Sequence, residues 1–310
     1  MSDQITIVFL GSPAFSCPFL QALAADPRFH VQAVITQEDK PSGRKKILTP
    51  TPVKKLALDL GLPVFQPHRL NKDSELIEWL ARQSPDFLLT VAYGQLISQK
   101  VLDLPKIAPL NVHGSILPAY RGASPLEQSL LNGDRETGLS IMQMVLEMDA
   151  GPVYSTIRET ILPEDNDITL RQKLAEKGSR QLPDLLMQIS KGQLKAYPQD
   201  SSAASYCQKI SKSDGLIDPS TQSAEQIYNR FRAFIAWPGT YLMLDNRQLK
   251  LLDIKLAVGQ PVESGQFLVA GQRLFLGCQI GSIEINKLQL EGKKAQSSSE
   301  FLRGNSRLFQ

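Results

Sequence analysis

The sequence predicts an α/β fold: a doubly wound, mostly parallel sheet followed by a small C-terminal β-barrel domain. Three observations point there. Short apolar runs alternate with helical patterns through the first two hundred positions, as in parallel sheets whose strands are buried on both faces. A small, polar stretch at residues 198–205, "PQDSSAAS", breaks that alternation and reads as a linker. Beyond it, residues 240–290 read as short alternating strands separated by glycines, the pattern of a small barrel. A length of 310 residues with 42% apolar composition accommodates two domains, placed at residues 1–197 and 209–310 with the linker at 198–208.

The elements follow in order. Residues 4–10, "QITIVFL", are an apolar, β-branched first strand. Gly11-Ser12-Pro13 turns into a helix ending near Asp26-Pro27, and residues 31–36 are a second strand. Residues 37–52 form a long charged loop carrying Pro41, Gly43, Pro50 and Pro52; loops of that length inside compact domains are usually functional or disordered. Residues 53–60 read as a helix, 63–65 as a brief strand and 72–83 as an amphipathic helix. Residues 86–91, "DFLLTV", and 107–112 are buried strands. Ser124-Pro125-Leu126-Glu127 is a capping box with proline at the first helical position. Residues 138–145 and 153–160 are strands, and 169–192 a long helix. Past the linker, residues 223–234 are a helix with its own capping box, Ser223 to Gln226.

Charge and cysteine usage narrow the class. The net charge is only +3, but residues 201–310 carry 13 Lys+Arg against 9 Asp+Glu, whereas residues 1–200 carry 21 against 22. A second basic cluster is Lys40, Arg44, Lys45, Lys46, Lys54 and Lys55. Such clusters are either solvated surface or contacts to a polyanion such as RNA. Cys17, Cys207 and Cys278 are widely spaced and form no CxxC pair, so neither a zinc site nor a disulfide framework is indicated, and a cytoplasmic location fits. No apolar run reaches the roughly 18 residues of a membrane span. The N-terminus lacks the basic start and long apolar stretch of a signal peptide.

One stretch carries chemistry. In "PLNVHGSILPAYRG", residues 109–122, a core strand ends in Asn111 and His113 and runs into a loop of glycine, two prolines and Arg121. Residues i and i+2 of a strand share a face, about 6.5 Å apart. In doubly wound sheets ligands bind at the carboxyl ends of the strands. Tyr93-Gly94 ends another strand at the same rim, and Met148-Asp149-Ala150-Gly151 occupies a further strand–turn junction. An amide, an imidazole and a carboxylate at one rim suit acyl transfer without a nucleophilic side chain, since Ser115 stands outside any GxSxG elbow. Gly11 lacks the further glycines of a dinucleotide motif, so it does not support a nucleotide cofactor.

These residues resemble the signature of the 10-formyltetrahydrofolate-dependent formyltransferases. "IVFLGSPAFS", "DKPSGRKKILTPTPVKKLA", "VAYGQLI", "LNGDRETGLSIMQM", "MDAGP", "RAFIAWPGTY" and "LEGKKA" occur in the family's order over nearly the whole chain. The match is closest to the branch whose acceptor is methionyl initiator tRNA. The resemblance implies a Rossmann-like catalytic domain and an OB-type barrel that holds the tRNA acceptor arm. It places the catalytic trio on Asn111, His113 and Asp149. The co-substrate 10-formyltetrahydrofolate would lie against Phe87, Leu88, Tyr93, Gly94, Ile97, Ser115, Leu117, Pro118 and Gly151. Arg44, Lys45, Lys46 and Lys209 would contact tRNA. A monomer is expected, with no tightly bound cofactor, no metal and no membrane partner. Two departures stand out: the basic loop is one glycine shorter than usual, and Asp-Thr-Gly stands as Asp149-Ala150-Gly151.

Two other functions remain open: a formyltransferase for a small amine such as an amino sugar nucleotide, and a non-catalytic RNA-binding protein on the same scaffold. His30 and His68 read as surface or helix-end residues, and Trp79 as core. Trp237 reads as a packed turn residue in preference to a base-stacking one. Arg121 either pairs with a local acid or holds substrate.

Overall fold

The computed structural model describes residues 4–43, 46–305 and 308. Along the chain run β1 (Ile5–Gly11), α1 (Cys17–Ala25), β2 (Phe29–Ile35), β3 (Lys40–Ser42), β4 (Ile47–Thr49), α2 (Pro52–Asp59), β5 (Val64–Phe65), α3 (Ser74–Gln83), β6 (Phe87–Val91), α4 (Gln99–Leu102), β7 (Ala108–His113), β8 (Arg121–Gly122), α5 (Pro125–Asn132), β9 (Glu136–Gln143), β10 (Val153–Thr160), α6 (Asp167–Ser190), β11 (Tyr206–Cys207), α7 (Ala224–Phe234), β12 (Thr240–Leu244), β13 (Arg247–Leu256), β14 (Phe267–Ala270), β15 (Arg273–Gly277), β16 (Ser282–Leu290), β17 (Gln296–Ser297) and α8 (Ser298–Asn305). They form two compact units. One holds the chain up to Gly122 with Thr137–Thr160 and Arg171–Cys207; the other holds Ala123–Glu136, Ile161–Leu170 and the chain from Gln208.

The first unit is built on a seven-stranded sheet in the order β10-β9-β7-β6-β1-β2-β5. The pairs from β5 to β7 are parallel, and β9 is antiparallel to β7. Every residue of β6 is buried, as a strand covered on both faces requires. Gly11 pairs with Val91 and Thr90 with Asn111, so the carboxyl ends of β1, β6 and β7 share one edge. The turn after β1 is spent on structure. A Cβ on Gly11 would lie 2.8 Å from the Phe9 ring and 3.0 Å from the Val91 carbonyl. Ser16 Oγ donates to Val91 O at 2.6 Å, and Ser12 Oγ accepts from Gln37 N at 3.2 Å.

Residues 37–52, read as a loop, contain a short antiparallel ribbon in which Lys40 faces Thr49 and Ser42 faces Ile47. Ile47-Leu48-Thr49 has the β-branched character that supplies its second strand, and it leaves Ile47 and Leu48 exposed.

The second unit carries an antiparallel sheet, β12-β13-β16-β15-β14, with β17 beside β16, where the sequence predicted a small barrel. Its core gathers Ile227 of α7 with Leu249, Leu274, Ile283, Leu288 and Phe301. The capping box of α7 closes in both directions: Ser223 Oγ accepts from Gln226 N at 3.1 Å, and Gln226 Oε1 accepts from Ser223 N at 2.8 Å. Two segments from earlier in the chain join this unit because α7 receives them. α5 packs against α7, and Arg232 Nη1 donates to Asp165 O at 3.0 Å.

Glu284 on β16 is buried and takes both arms of Arg273, Nε to Oε1 at 2.9 Å and Nη2 to Oε2 at 2.5 Å, with Lys255 Nζ at 3.3 Å. The Arg273 hydrogen bonds, outweighing burial, hold the Glu284 carboxyl below the ordinary glutamate range. A carboxyl with a lowered folded-state value stabilises fully above its unfolded value of about 4.3, and that contribution is lost as pH falls through the folded value. Glu284→Gln is therefore expected to lower stability by about 1 kcal/mol at neutral pH, a figure kept small because Arg273 and Lys255 are more than half exposed. Melts of the two proteins should converge as pH is taken below the folded-state value.

Trp237 departs from its expected packed role: it is 56% exposed, in the turn after α7. Trp237→Ala should therefore change unfolding free energy by no more than about 0.5 kcal/mol in a urea titration, against about 3–5 kcal/mol for a buried tryptophan. Trp79 meets its expectation, packing against the core with its ring tilted 49° to that of Phe65 and the centroids 4.7 Å apart.

Candidate active site

β7 brings Asn111 and His113 to the carboxyl edge, where the strand stops because Gly114 and the prolines after it cannot continue the ladder. His113 is 5% exposed and Asn111 half-buried. His113 Nε2 lies 2.9 Å from the Tyr120 carbonyl. A carbonyl only accepts, so Nε2 carries the hydrogen of that bond. Nδ1 then faces Asp149 Oδ2 at 3.6 Å, within ion-pair reach but longer than a hydrogen bond. The same Oδ2 accepts from Gly122 N at 2.9 Å, which fixes the carboxylate. Among the described residues the Asn111 side chain makes no hydrogen bond, so its amide N–H groups remain available to a ligand.

The backbone around this trio is held in unusual conformations. Among the described residues, three of the seven non-glycine residues with positive φ are Ala92 (52°), Tyr120 (59°) and Asp149 (51°). Each such residue costs roughly 1–2 kcal/mol, sustained only by its surroundings. Gly151 has to be glycine because a Cβ would strike the Gln143 carbonyl, and Gly122, at φ 120°, because a Cβ would strike that of Cys207.

The remaining expected site residues divide. Gly94 lines a polar cleft of about 500 Å³ with Gln37, Lys40, His68, Arg69 and Lys72 on its walls. Leu117 and Pro118 follow Asn111 and His113 in the loop after β7, with Leu117 packed on Met142 and Val153. The expected folate-wall residues Phe87, Leu88, Tyr93, Ile97 and Ser115 are buried in this structure. Phe87 and Leu88 open β6 at the end opposite His113 and are buried in the core, so a ligand at the carboxyl edge meets neither. The Ser115 hydroxyl is wholly buried and donates to Ala119 O at 2.6 Å. The Tyr93 ring is buried beside Val8 and Leu10, burial pushes its phenol well above the ordinary range, and its carbonyl already accepts from Gln37 Nε2 at 2.8 Å. Ile97 belongs to the same apolar cluster. Arg44 and Lys45 lie outside the described residues. Lys46 is exposed in the turn of the ribbon, and Lys209 is exposed in the second unit.

Sequence reasoning missed one side chain of the site, Gln199, and left the role of Arg121 open. His68, read as bland surface, lies 2.8 Å from Glu38 on the cleft wall. Arg121 is 1% exposed and therefore holds no substrate directly; Glu147 is 3.7 Å away. Gln199, in the stretch read as a linker, donates from Nε2 to Asp149 O at 2.8 Å and Gly151 O at 2.7 Å. No local pattern announces a glutamine whose partners are distant in sequence.

Among the described residues no helix is long and apolar enough to cross a membrane, and no group of His, Cys, Asp and Glu is placed to hold a metal. The formyl transferase family model matches residues 5–186, and the model for the formyl transferase C-terminal domain matches residues 209–306. The methionyl-tRNA formyltransferase of Geobacter sulfurreducens is 38% identical over 301 residues, covering 97% of this chain and 94% of that protein. That of Dehalococcoides mccartyi is 41% identical over 304 residues, covering 97% and 95%. WlaRD, a sugar 3N-formyl transferase solved with dTDP and 5-N-formyl-THF, shares the fold with a TM-score of 0.69 at 18% identity, over 94% of this chain and 100% of that one. The chain thus belongs to the formyl transferase family, an enzyme family, and groups within it with the methionyl-tRNA formyltransferases.

Proposed function

We propose that the chain transfers a formyl group from 10-formyltetrahydrofolate to the α-amino group of methionyl initiator tRNA by direct amine attack. The observation that carries this reading is the His113–Asp149 pair, 3.6 Å apart, with Asn111 two residues away on the same strand face. The amine nitrogen adds to the formyl carbon, and the carbonyl π pair moves onto oxygen. The Asn111 amide donates to that oxyanion. His113 takes a proton from the attacking nitrogen through Nδ1 and returns one to the departing folate nitrogen as the carbon–nitrogen bond to the donor breaks. Asp149, fixed by Gly122 N–H, stabilises the imidazolium between those steps. The apo distance of 3.6 Å suits a contact that tightens once substrate excludes water.

Folate is assigned to the edge formed by Gly94, Leu117, Pro118 and Gly151, in line with a solved protein of this fold, HypX from Aquifex aeolicus, in complex with tetrahydrofolic acid. Residues 1–197 are assigned to catalysis and 209–310 to the acceptor arm, joined by 198–208. Arg44, Lys45, Lys46 and Lys209 contact phosphates, and neutralising any one of them should reduce the salt dependence of tRNA binding by about one ion.

Labelled formyl donor offered together with methionyl-tRNA, glycinamide ribonucleotide and an amino sugar nucleotide tests the reading. Label is expected on the charged tRNA. Label appearing instead on a small amine, or on nothing, would refute it.

A further inference from the structure

The segment read as a linker reaches back into the active site. Gln199 is half-buried, and its amide is used completely by two groups of opposite character. Oε1 accepts from Arg121 Nε at 3.1 Å and from Nη2 at 2.9 Å. Nε2 donates to the carbonyls of Asp149 and Gly151. A guanidinium only donates and a carbonyl only accepts, so the amide has a single orientation that satisfies both sides. Arg121 is the most deeply buried cation of the site, and its guanidinium also approaches Glu147 of the same turn. The next residue, Gly122, sends its N–H to the Asp149 carboxylate. β8 is held in turn from the linker side: Arg121 N donates to Ser205 O at 2.8 Å, and Tyr206-Cys207 pairs with Arg121-Gly122.

These bonds form a closed circuit. It runs from the Asp149 carboxylate to Gly122 N, along β8 to the Arg121 side chain, through the Gln199 amide and back to the Asp149 main chain. Asp149 lies in the left-handed region, which an aspartate leaves readily once its turn is released. The circuit opposes that release.

We propose that Gln199 and Arg121 are positioning residues of the transfer reaction: they clasp the 147–151 turn so that the Asp149 carboxylate stands against His113. Neither side chain touches the reacting atoms in this arrangement. The inference rests on the proposed role of Asp149 and adds how that role is maintained. It also gives residues 199–207 a function beyond joining two units, since the chain that leads to the tRNA-binding residues is the chain that closes the site.

The experiment is a double-mutant cycle on the full-length protein. Gln199→Ala is expected to lower kcat for formyl transfer about 10²-fold, the size of loss that a displacement near 1 Å produces, with KM for both substrates little changed. Gln199→Glu removes the donated N–H groups yet keeps an acceptor for Arg121. It should lose kcat similarly while its melting temperature stays close to that of the parent, which separates positioning from mere support of the fold. In a chain already carrying Asp149→Asn, Gln199→Ala should cost little more, because the group it positions is gone. Three outcomes would overturn the proposal: unchanged kcat in both Gln199 variants, a loss found only in KM, or a full multiplicative loss on top of Asp149→Asn. Full activity in Asp149→Asn alone would instead refute the catalytic role of Asp149, so the two failures are distinguishable.

Discussion

Replacing His113 by alanine is expected to lower kcat for formyl transfer by about 10²–10⁴-fold, the usual contribution of a general acid–base group. The imidazole has one ring nitrogen that can accept a proton and later return it, whereas the Asn111 amide can only donate or accept hydrogen bonds, and Asp149 stands beside the imidazole at 3.6 Å. tRNA affinity should be largely kept, because Lys46 and Lys209, the described residues assigned to tRNA, lie in the ribbon turn and in the second unit. His113→Gln is the sharper variant. Its amide can still donate to the Tyr120 carbonyl, preserving the bond that Nε2 makes at 2.9 Å, but it cannot shuttle a proton. Equal loss in both variants, with melting temperatures near that of the parent, assigns the effect to proton transfer. A non-catalytic RNA-binding protein predicts that every measurable property survives both changes, so a filter-binding assay run beside the transfer assay discriminates the two classes.

The strands of the first unit were legible in the sequence because a parallel sheet covered on both faces demands continuous apolar runs, and "TIVFL" and "FLLTV" could be little else. The strand of the candidate site was legible for a related reason. Asn111 and His113 interrupt such a run with period two, and an interruption of that kind at a strand end is visible without coordinates. What stayed hidden depends on contacts that no local pattern encodes. The ribbon from Lys40 to Thr49 was read as loop because prolines and charges mask a two-stranded pairing. Gln199 bonds to residues 50 and 78 positions away, and polar linker composition looks the same whether or not it clasps anything. The resemblance to a family supplied the expected trio and a folate wall that includes Phe87 and Leu88, which the strand's direction carries to its far end. The exposure of Trp237 was missed because burial of a lone aromatic beside a helix end is decided by tertiary packing. The borrowed segments of the second unit were missed for the same reason, since α5 and residues 161–170 join it through α7 and not through sequence proximity.

Asn111→Ala is expected to lower kcat about 10²–10³-fold, the cost of removing one donor aimed at a developing oxyanion. Two features distinguish it from the His113 change. Among the described residues the Asn111 amide has no hydrogen-bond partner, so its removal breaks no bond in the free protein and should leave the melting temperature within a degree or two of the parent. The backbone at this position stays paired with Thr90 on one side and Met142 on the other, so the strand keeps its register. Asn111→Asp makes the test directional. The two side chains have nearly the same shape, but the carboxylate replaces two donors with acceptors and sets a negative charge where the tetrahedral intermediate gathers its own. If the amide stabilises the oxyanion, Asp must be worse than Ala, because alanine only withdraws a donor whereas aspartate adds repulsion. If Asn111 merely shapes the cleft, Asp, the closer isostere, must be the milder of the two. The order of the two rate constants, measured at saturating donor and charged tRNA, decides between a group that acts on the reacting carbonyl and one that only borders it.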